Sequence, residues 1–317
     1  MYPLEAVYSL RSHEGWLKGP PPDPDRDWLK ETRRGSRAIV RDRFWEVDSW
    51  DALRAAVSFL TLMNKREVLY FRGQGEHFDA CLPVLFRDVW WFDKNEWPLT
   101  PKNRRAYYDA ILELRDDVLA MARMVRTPRE YVLEHVPAAT AAVLQHYELW
   151  PTHFVDVTRS LPIALAFALE SARRRAHRQR QTHGDVAYLY VFGMPDLRGS
   201  ITSDIDQHVT LARLEAICPP AAKRPHHQDA YLVSRFPEPP GSVGPADKTW
   251  KYWQDRTDLM RRLIAKFQVK LSKGVLPGAP KVEHSFLVPP DHQDPFGLAL
   301  KRKLSPKVVD MADRLSR

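Results

Sequence analysis

From residue 145 to residue 160 the chain reads Gln145-His146-Tyr147-Glu148-Leu149-Trp150-Pro151-Thr152-His153-Phe154-Val155-Asp156-Val157-Thr158-Arg159-Ser160, and an apolar run from Leu161 to Leu169 follows at once. Side chains that hold charge, move protons or donate hydrogen bonds crowd into this stretch: Gln145, His146, Thr152, His153, Asp156 and Thr158. The pattern predicts a polar loop, a short strand from about Thr152 to Val157, and a helix with Pro162 in its first turn, where a missing backbone N–H costs nothing. Asp156 and Thr158 then stand where a strand hands over to a helix. Short polar side chains at such a junction either cap the helix or face a pocket beside its N-terminus, where unpaired N–H groups suit an anion. Capping accounts for any one of these residues but not for their concentration in one segment.

A second chemical candidate is Arg72, at the end of a predicted strand, Glu67 to Arg72, and next to Gly73, where the backbone can turn and a ligand can come close. Several other chemistries drop out. There is no phosphate-cradling glycine loop, no pair of cysteines at zinc spacing and no Gly-x-Ser-x-Gly elbow. His226 and His227 with Cys218 make a poor tetrahedral set, and the spacing of Asp196, Asp204 and Asp206 is not that of a twelve-residue calcium loop, so no metal is expected.

The elements that must position these residues follow from periodicity and breakers. Phe44 to Val47 reads as a short strand, and Ser49 caps a helix from Trp50 to about Met63 with Leu53, Val57 and Leu60 on one stripe. Lys102 to Met124 is helical and ends near Thr127-Pro128; Arg129 to Leu144 is helical with a break at Pro137. Val186 to Phe192 is apolar on both faces and reads as a central strand, and Ala230 to Phe236 is another. A helix through Trp250, Trp253, Met260, Ile264 and Phe267, a strand near Val282 to Val288 and a helix near Pro306 to Leu315 complete the reading.

The chain has 317 residues, of which 44% are hydrophobic, so it can bury one large core or two small ones. Composition divides it into an arm (1–43, broken at Gly19 to Pro24), a main domain (44–236), a Pro/Gly linker (237–249) and an accessory C-terminal segment (250–317) packed on the main domain. Two cysteines, no secretory leader and no apolar run of spanning length predict a cytoplasmic location without membrane contact. A net charge of +8 and a pI near 9.4 favour an acidic partner, nucleic acid first. The run Arg173, Arg174, Arg175, Arg178 and Arg180 reads first as a solvated helix end, because it lacks the interleaved aromatics that stack bases.

Taken in order, Phe71-Arg72-Gly73-Gln74, Leu82-Pro83-Val84-Leu85-Phe86-Arg87, Gln145-His146-Tyr147, Pro151-Thr152, Val155-Asp156-Val157-Thr158 and Ala164-Leu165-Ala166-Phe167-Ala168 resemble the FRG domain, a bacterial and phage domain named for its Phe-Arg-Gly motif. Arg224 to Gln228 and the strand after it resemble that family's last motif. The family usually has Gly where Glu148 stands, and no residue matching Trp150. More distantly, the order of arginine strand, Asp/Thr strand and later polar strand resembles ADP-ribosyltransferases. The resemblance implies an α+β fold with a mixed or antiparallel split sheet flanked by helices, and NAD as substrate. It further implies a ligand set of Arg72, Gly73, Gln74, Arg87, His146, Tyr147 and Thr152, and a catalytic set of Asp156, Thr158 and Gln228. Gln228 falls where that superfamily has a glutamate, so the negative charge would come from Asp156, which lies in the densest motif, or from Glu215, or the pocket would bind without catalysing. Transfer of ADP-ribose to a nucleic acid or other macromolecule, or NAD hydrolysis, in the manner of a toxin or phage-defence effector with a possible neutralising partner protein, is one expectation; a non-catalytic module that binds nucleic acid or protein is the other.

Overall fold

Runs rich in Val, Ile, Leu, Tyr and Phe form the strands, and among the described residues eight of them join in one sheet. The computed structural model describes residues 1–10, 33–92, 95–98, 103–125, 127, 130–180, 185–235 and 250–316. The sheet strands are β1 (Trp45–Val47), β2 (Val68–Gln74), β3 (Val155–Thr158), β4 (Val186–Met194), β5 (Ile201–Asp204), β6 (Val209–Arg213), β7 (Ala230–Ser234) and β8 (Leu263–Lys270). Their spatial order is β1-β8-β4-β2-β3-β7-β6-β5. Neighbours run antiparallel except β1, which is parallel to β8, so the sheet is open and mixed.

The sheet nearly divides at its centre. β2 pairs with β4 along its whole length, from Val68 opposite Met194 to Gln74 opposite Tyr188, whereas β2 and β3 meet at one residue pair, Phe71 opposite Thr158. Beyond that pair the strands part, and the backbone of β3 faces a gap instead of a neighbour.

The helices that matter for this gap are α1 (Trp50–Met63), α2 (Arg104–Met124), α3 (Pro137–His146), α4 (Leu161–Arg178) and α5 (Pro295–Ser316). Ser49 caps α1, accepting from the Ala52 N–H at 3.4 Å. Pro137 ends the preceding helix, Glu130–His135, and starts α3 as its first residue. One apolar cluster gathers α1, β2, β4, β8 and the small residues Ala164, Ala168 and Ala172 of α4; a second gathers α2, α3 and α5 with Trp150, Phe154 and Leu232. Met1, Leu4, Val7 and Leu10 are buried in the first cluster, so the described part of the N-terminal arm lies on the domain.

Several elements differ from the sequence reading. The helix expected through Phe267 stops at Thr257; Asp258 accepts from the Met260 N–H, one 3-10 turn follows, and Leu263–Lys270 is β8, between β1 and β4. A strand buried on both faces reads as a nearly unbroken apolar run, which periodicity alone does not distinguish from a buried helix. Part of the segment expected as an accessory layer is thus inside the sheet. The strand expected at Val282 to Val288 is a helical turn, His284–Leu287. α5 starts well before Pro306 and runs through it, because Leu300, Leu304, Val308, Met311 and Ala312 form one buried stripe across that proline. β3 begins at Val155, later than expected, since Thr152 is engaged elsewhere. Gly19 to Pro24, Pro128, Arg129, Phe236 and the linker at 237–249 lie outside the described residues.

Gly73 does not turn the chain; β2 continues through it. A Cβ there would lie 1.8 Å from the Ala164 carbonyl oxygen, and one at Gly75 would lie 2.3 Å from the Ser171 carbonyl carbon. These glycines let α4 rest directly on the β2 backbone, and so fix the wall behind the gap.

Candidate functional site

The parted strands β2 and β3, the end of α3 and one face of α4 from Ala164 to Arg174 line a cavity of about 280 Å³. Arg72 comes from β2, Asp156 and Thr158 from β3, Gln145 and His146 from the last turn of α3, and Arg224 and Gln228 from the short helix Lys223–His227 and the residue after it.

Asp156 is the centre of this set. Gln145 donates from Nε2 to one carboxylate oxygen at 3.2 Å, and His146 Nδ1 lies 3.4 Å from the other. The side chain is 39% exposed, while the His146 ring is 2% exposed. Burial lowers the His146 pKa, and the bond to Asp156 offsets only part of that, so the neutral ring donates from Nδ1. Its Nε2 is buried without a hydrogen-bond partner. Burial pushes Asp156 up, but the His146 bond, then Arg72 and Arg224, outweigh it and hold the carboxyl below its ordinary value. A carboxylate that is ionised at neutral pH and fixed at both oxygens therefore faces the cavity.

Arg72 bridges the split. Its Nη1 donates to the backbone carbonyl of Asp156 at 2.5 Å, a group that a continued β2–β3 ladder would have served from the main chain. Its Nε is buried without a partner.

Behind these residues runs a short relay. Thr152, fully buried, donates from Oγ1 to Gln145 Oε1 at 3.0 Å and accepts from the Phe154 N–H at 3.2 Å. With its oxygen so occupied, the Gln145 amide turns its NH₂ toward Asp156. Thr158 lines the cavity and accepts from the Ser160 N–H at 3.0 Å, and Ser160, not Asp156, caps α4 by accepting from the Ile163 N–H at 3.4 Å.

The expected ligand set is therefore only partly assembled. Arg72, Gly73, His146, Asp156, Thr158 and Gln228 line the cavity. Thr152 stands one hydrogen bond behind it. Tyr147 is buried and donates its hydroxyl to Asp294 at 3.0 Å, which ties the loop down and takes the ring out of the wall. Arg87 is exposed and gives Nε and Nη2 to the Leu82 carbonyl at 3.1 and 3.0 Å, and neither it nor Gln74 lines the cavity. Gln228 donates to the Leu287 carbonyl at 2.5 Å, so its amide holds a wall segment in place. Glu215 is elsewhere, paired with Arg213 beside another hollow.

Sequence reasoning gave no role to Arg224, Arg174, Glu170 or Phe167, all in the wall. Arg224 stood in a motif and Arg174 in a basic run, but nothing local indicated that they converge. Most of that run is paired: Arg173 and Arg174 with Glu170 at 2.8 and 3.2 Å, Arg175 with the Val186 carbonyl, Arg178 with Glu76 at 3.1 Å. Among the described residues no group of three His, Cys, Asp or Glu side chains is placed to hold a metal, and no helix is long and apolar enough to cross a membrane.

Residues 67–177 match the family model of the FRG domain. That stretch carries Arg72, Gln145, His146, Asp156 and Thr158 and ends before Arg224 and Gln228, so it is shorter than the region of about 47–236 over which the sequence motifs resemble the family. No curated protein and no solved structure matches the chain.

Proposed function

We propose that the cavity binds NAD and breaks its nicotinamide–ribose bond, passing ADP-ribose to a macromolecular acceptor, nucleic acid first, or to water. The observation that carries this reading is the pairing in one small cavity of a fixed, ionised carboxylate, Asp156, with a guanidinium, Arg72, across the split. NAD presents the complementary charges: a pyridinium ring at one end of the ribose and a pyrophosphate at the other. A planar fork suits the pyrophosphate, and a cavity of about 280 Å³ lies near the lower limit of about 300 Å³ for small-molecule pockets, which fits the nicotinamide ribose and leaves the rest of the dinucleotide along the mouth.

In this reaction the bond between ribose C1′ and the pyridinium nitrogen breaks and its electron pair leaves with nicotinamide. The positive charge passes to the ribose, an oxygen of the acceptor bonds to C1′, and the acceptor's proton goes to solvent. Asp156 meets the developing charge without reorganising, because Gln145 and His146 already hold it; one such preorganised group is worth about 10²–10³ in rate. Gln228 supplies no charge, and its NH₂ is engaged by Leu287.

That neutral amide also favours a second reading, in which the pocket binds without catalysing and the protein is a nucleic-acid- or protein-binding module. Incubating the purified protein with NAD and measuring free nicotinamide, with and without RNA or DNA, separates the two. Release above the uncatalysed rate is expected; none with any acceptor would leave the binding module.

A further inference from the structure

Of the three guanidinium groups in the cavity wall, Arg224 is held in an unusual way. Its backbone is pinned by a buried carboxylate: Asp294 accepts from the Lys223 N–H at 3.2 Å and from the Arg224 N–H at 3.4 Å. The same carboxylate takes the Tyr147 hydroxyl and the Gly297 N–H at 3.1 Å, and a Cβ on Gly297 would come within 2.8 Å of it. The Arg224 side chain is 15% exposed and its Nε is buried without a partner. This is a fixed cation with donor capacity left over.

What occupies it is Glu148. The Glu148 carboxylate takes Arg224 Nη2 at 2.6 Å, yet it is 74% exposed and hangs from a backbone with φ +57°, in the left-handed region that a residue with a Cβ enters at a cost. The pair thus joins a well-anchored guanidinium to a solvated, easily withdrawn carboxylate. With one partner in solvent, the attraction is screened on that side and Glu148 is free to leave it. A phosphate can take a guanidinium through two oxygens, where Glu148 takes it through one, and it carries more charge. Arg174, another wall cation, is 63% exposed and pairs with Glu170, which is shared with Arg173 and only 18% exposed. Of the two wall carboxylates that pair with an arginine side chain, Glu148 is therefore the one solvent can withdraw, and its departure leaves a mostly buried guanidinium to be met by an entering anion.

We propose that Arg224 is a second anion-binding residue of the cavity and that Glu148 is its built-in competitor, a carboxylate that a phosphate- or pyrophosphate-bearing ligand displaces on entry. The proposal rests on the reading of this cavity as a nucleotide site and assigns it a specificity element: ligands without a phosphate cannot displace Glu148 and gain nothing from Arg224.

The test is titration of the full-length protein with inorganic pyrophosphate by calorimetry, for the wild type, Glu148→Gln, Arg224→Gln and the double variant. Glu148→Gln should tighten binding by about threefold or more. Arg224→Gln should weaken it by about tenfold, and the double variant should match Arg224→Gln, because Glu148 acts only through Arg224. A Glu148→Gln protein of normal melting temperature that binds no tighter overturns the proposal, as does a double variant that binds tighter than Arg224→Gln, or absence of binding to both wild type and Glu148→Gln. Nicotinamide release measured in parallel keeps the two readings apart: pyrophosphate responses as expected with no release sink the NAD reading alone, and release with an indifferent Glu148→Gln sinks this proposal alone.

Discussion

Asp156 has a donor on each carboxylate oxygen, and this changes what its replacement tests. An Asn amide must turn its NH₂ toward Gln145 or toward His146; His146 can accept it by moving its own proton to Nε2, so Asp156→Asn keeps the arrangement and loses the charge. Nicotinamide release should fall by roughly a hundredfold or more with NAD affinity little changed, since the interaction strengthens only as charge develops. Undiminished release at normal stability would refute the catalytic assignment. A second residue-scale outcome concerns pH. Burial drops His153 from 6.5 to about 3 and lowers His146 as well. Between those values the unfolded chain takes up a proton that the folded chain refuses, so the histidine contribution to stability is full above pH 6.5 and declines as pH falls; for His153 the loss reaches about 2 kcal/mol at pH 5. Asp156, shifted down, loses its contribution only below the ordinary carboxylate range. The buried Met1 amine, held down to about 4, adds to the decline, while the carboxyls of Glu67, Asp229 and Asp258, pushed up by burial, oppose it, so His153 is isolated by comparing variants. Melting temperature should therefore fall from pH 7 to pH 5, and less steeply in His153→Gln; the same slope in both would show that His153 does not titrate this way. The density of polar residues from Gln145 to Thr158 was legible in the sequence. Their division into wall, relay and anchor was not, because it depends on Asp294, far along the chain, which pulls Tyr147 away from the cavity.

At the scale of elements, β2 and α4 were read correctly, but the reason for Gly73 was misread. Next to an arginine at a strand end, a glycine suggests a turn or a ligand approach; in the structure it marks where a helix backbone lies against a strand backbone. No local pattern shows this, since the partner residues, Ala164 and Ala168, are ordinary small helix residues on their own. The contact sets the chemistry, because α4 seated on β2 lets β2 and β3 part after one pair and leaves Arg72 to reach the Asp156 carbonyl. Gly73→Ala would put a methyl 1.8 Å from a carbonyl oxygen with no flexible side chain to yield. We expect a loss of about 3 kcal/mol or more, at the upper end of overpacking effects, with the cavity distorted along with it. Thermal unfolding of Gly73→Ala checks this, and a variant that melts within a degree or two of wild type would show that the close approach relaxes without consequence.

The whole molecule is more unified than its composition suggests. A Pro/Gly stretch before residue 250 invites division into a domain and an appendage, and that reading misses that a linker can also carry the chain to a strand position in the middle of a sheet. β8 separates β1 from β4, and Leu263, Ile264, Phe267 and Val269 are all fully buried. At about 1.5–3 kcal/mol each, their burial contributes roughly 6–12 kcal/mol, comparable with the whole stability of about 5–15 kcal/mol expected of a folded chain. α5 does the same for the second cluster through Phe296, Leu300, Leu304 and Val308, and Asp294 at its start holds Tyr147 and Arg224 in place. A chain ending at residue 249 would expose the edge of β4, leave β1 unpaired and strip both clusters, so it should aggregate or lack a cooperative melting transition although it retains residues 67–177 intact. Soluble, cooperatively unfolding protein from residues 1–249 would overturn this and restore the appendage reading. The same dependence makes the family-matched stretch insufficient for the site, since Arg224 and Gln228 lie beyond it and are held there by Asp294 and Leu287.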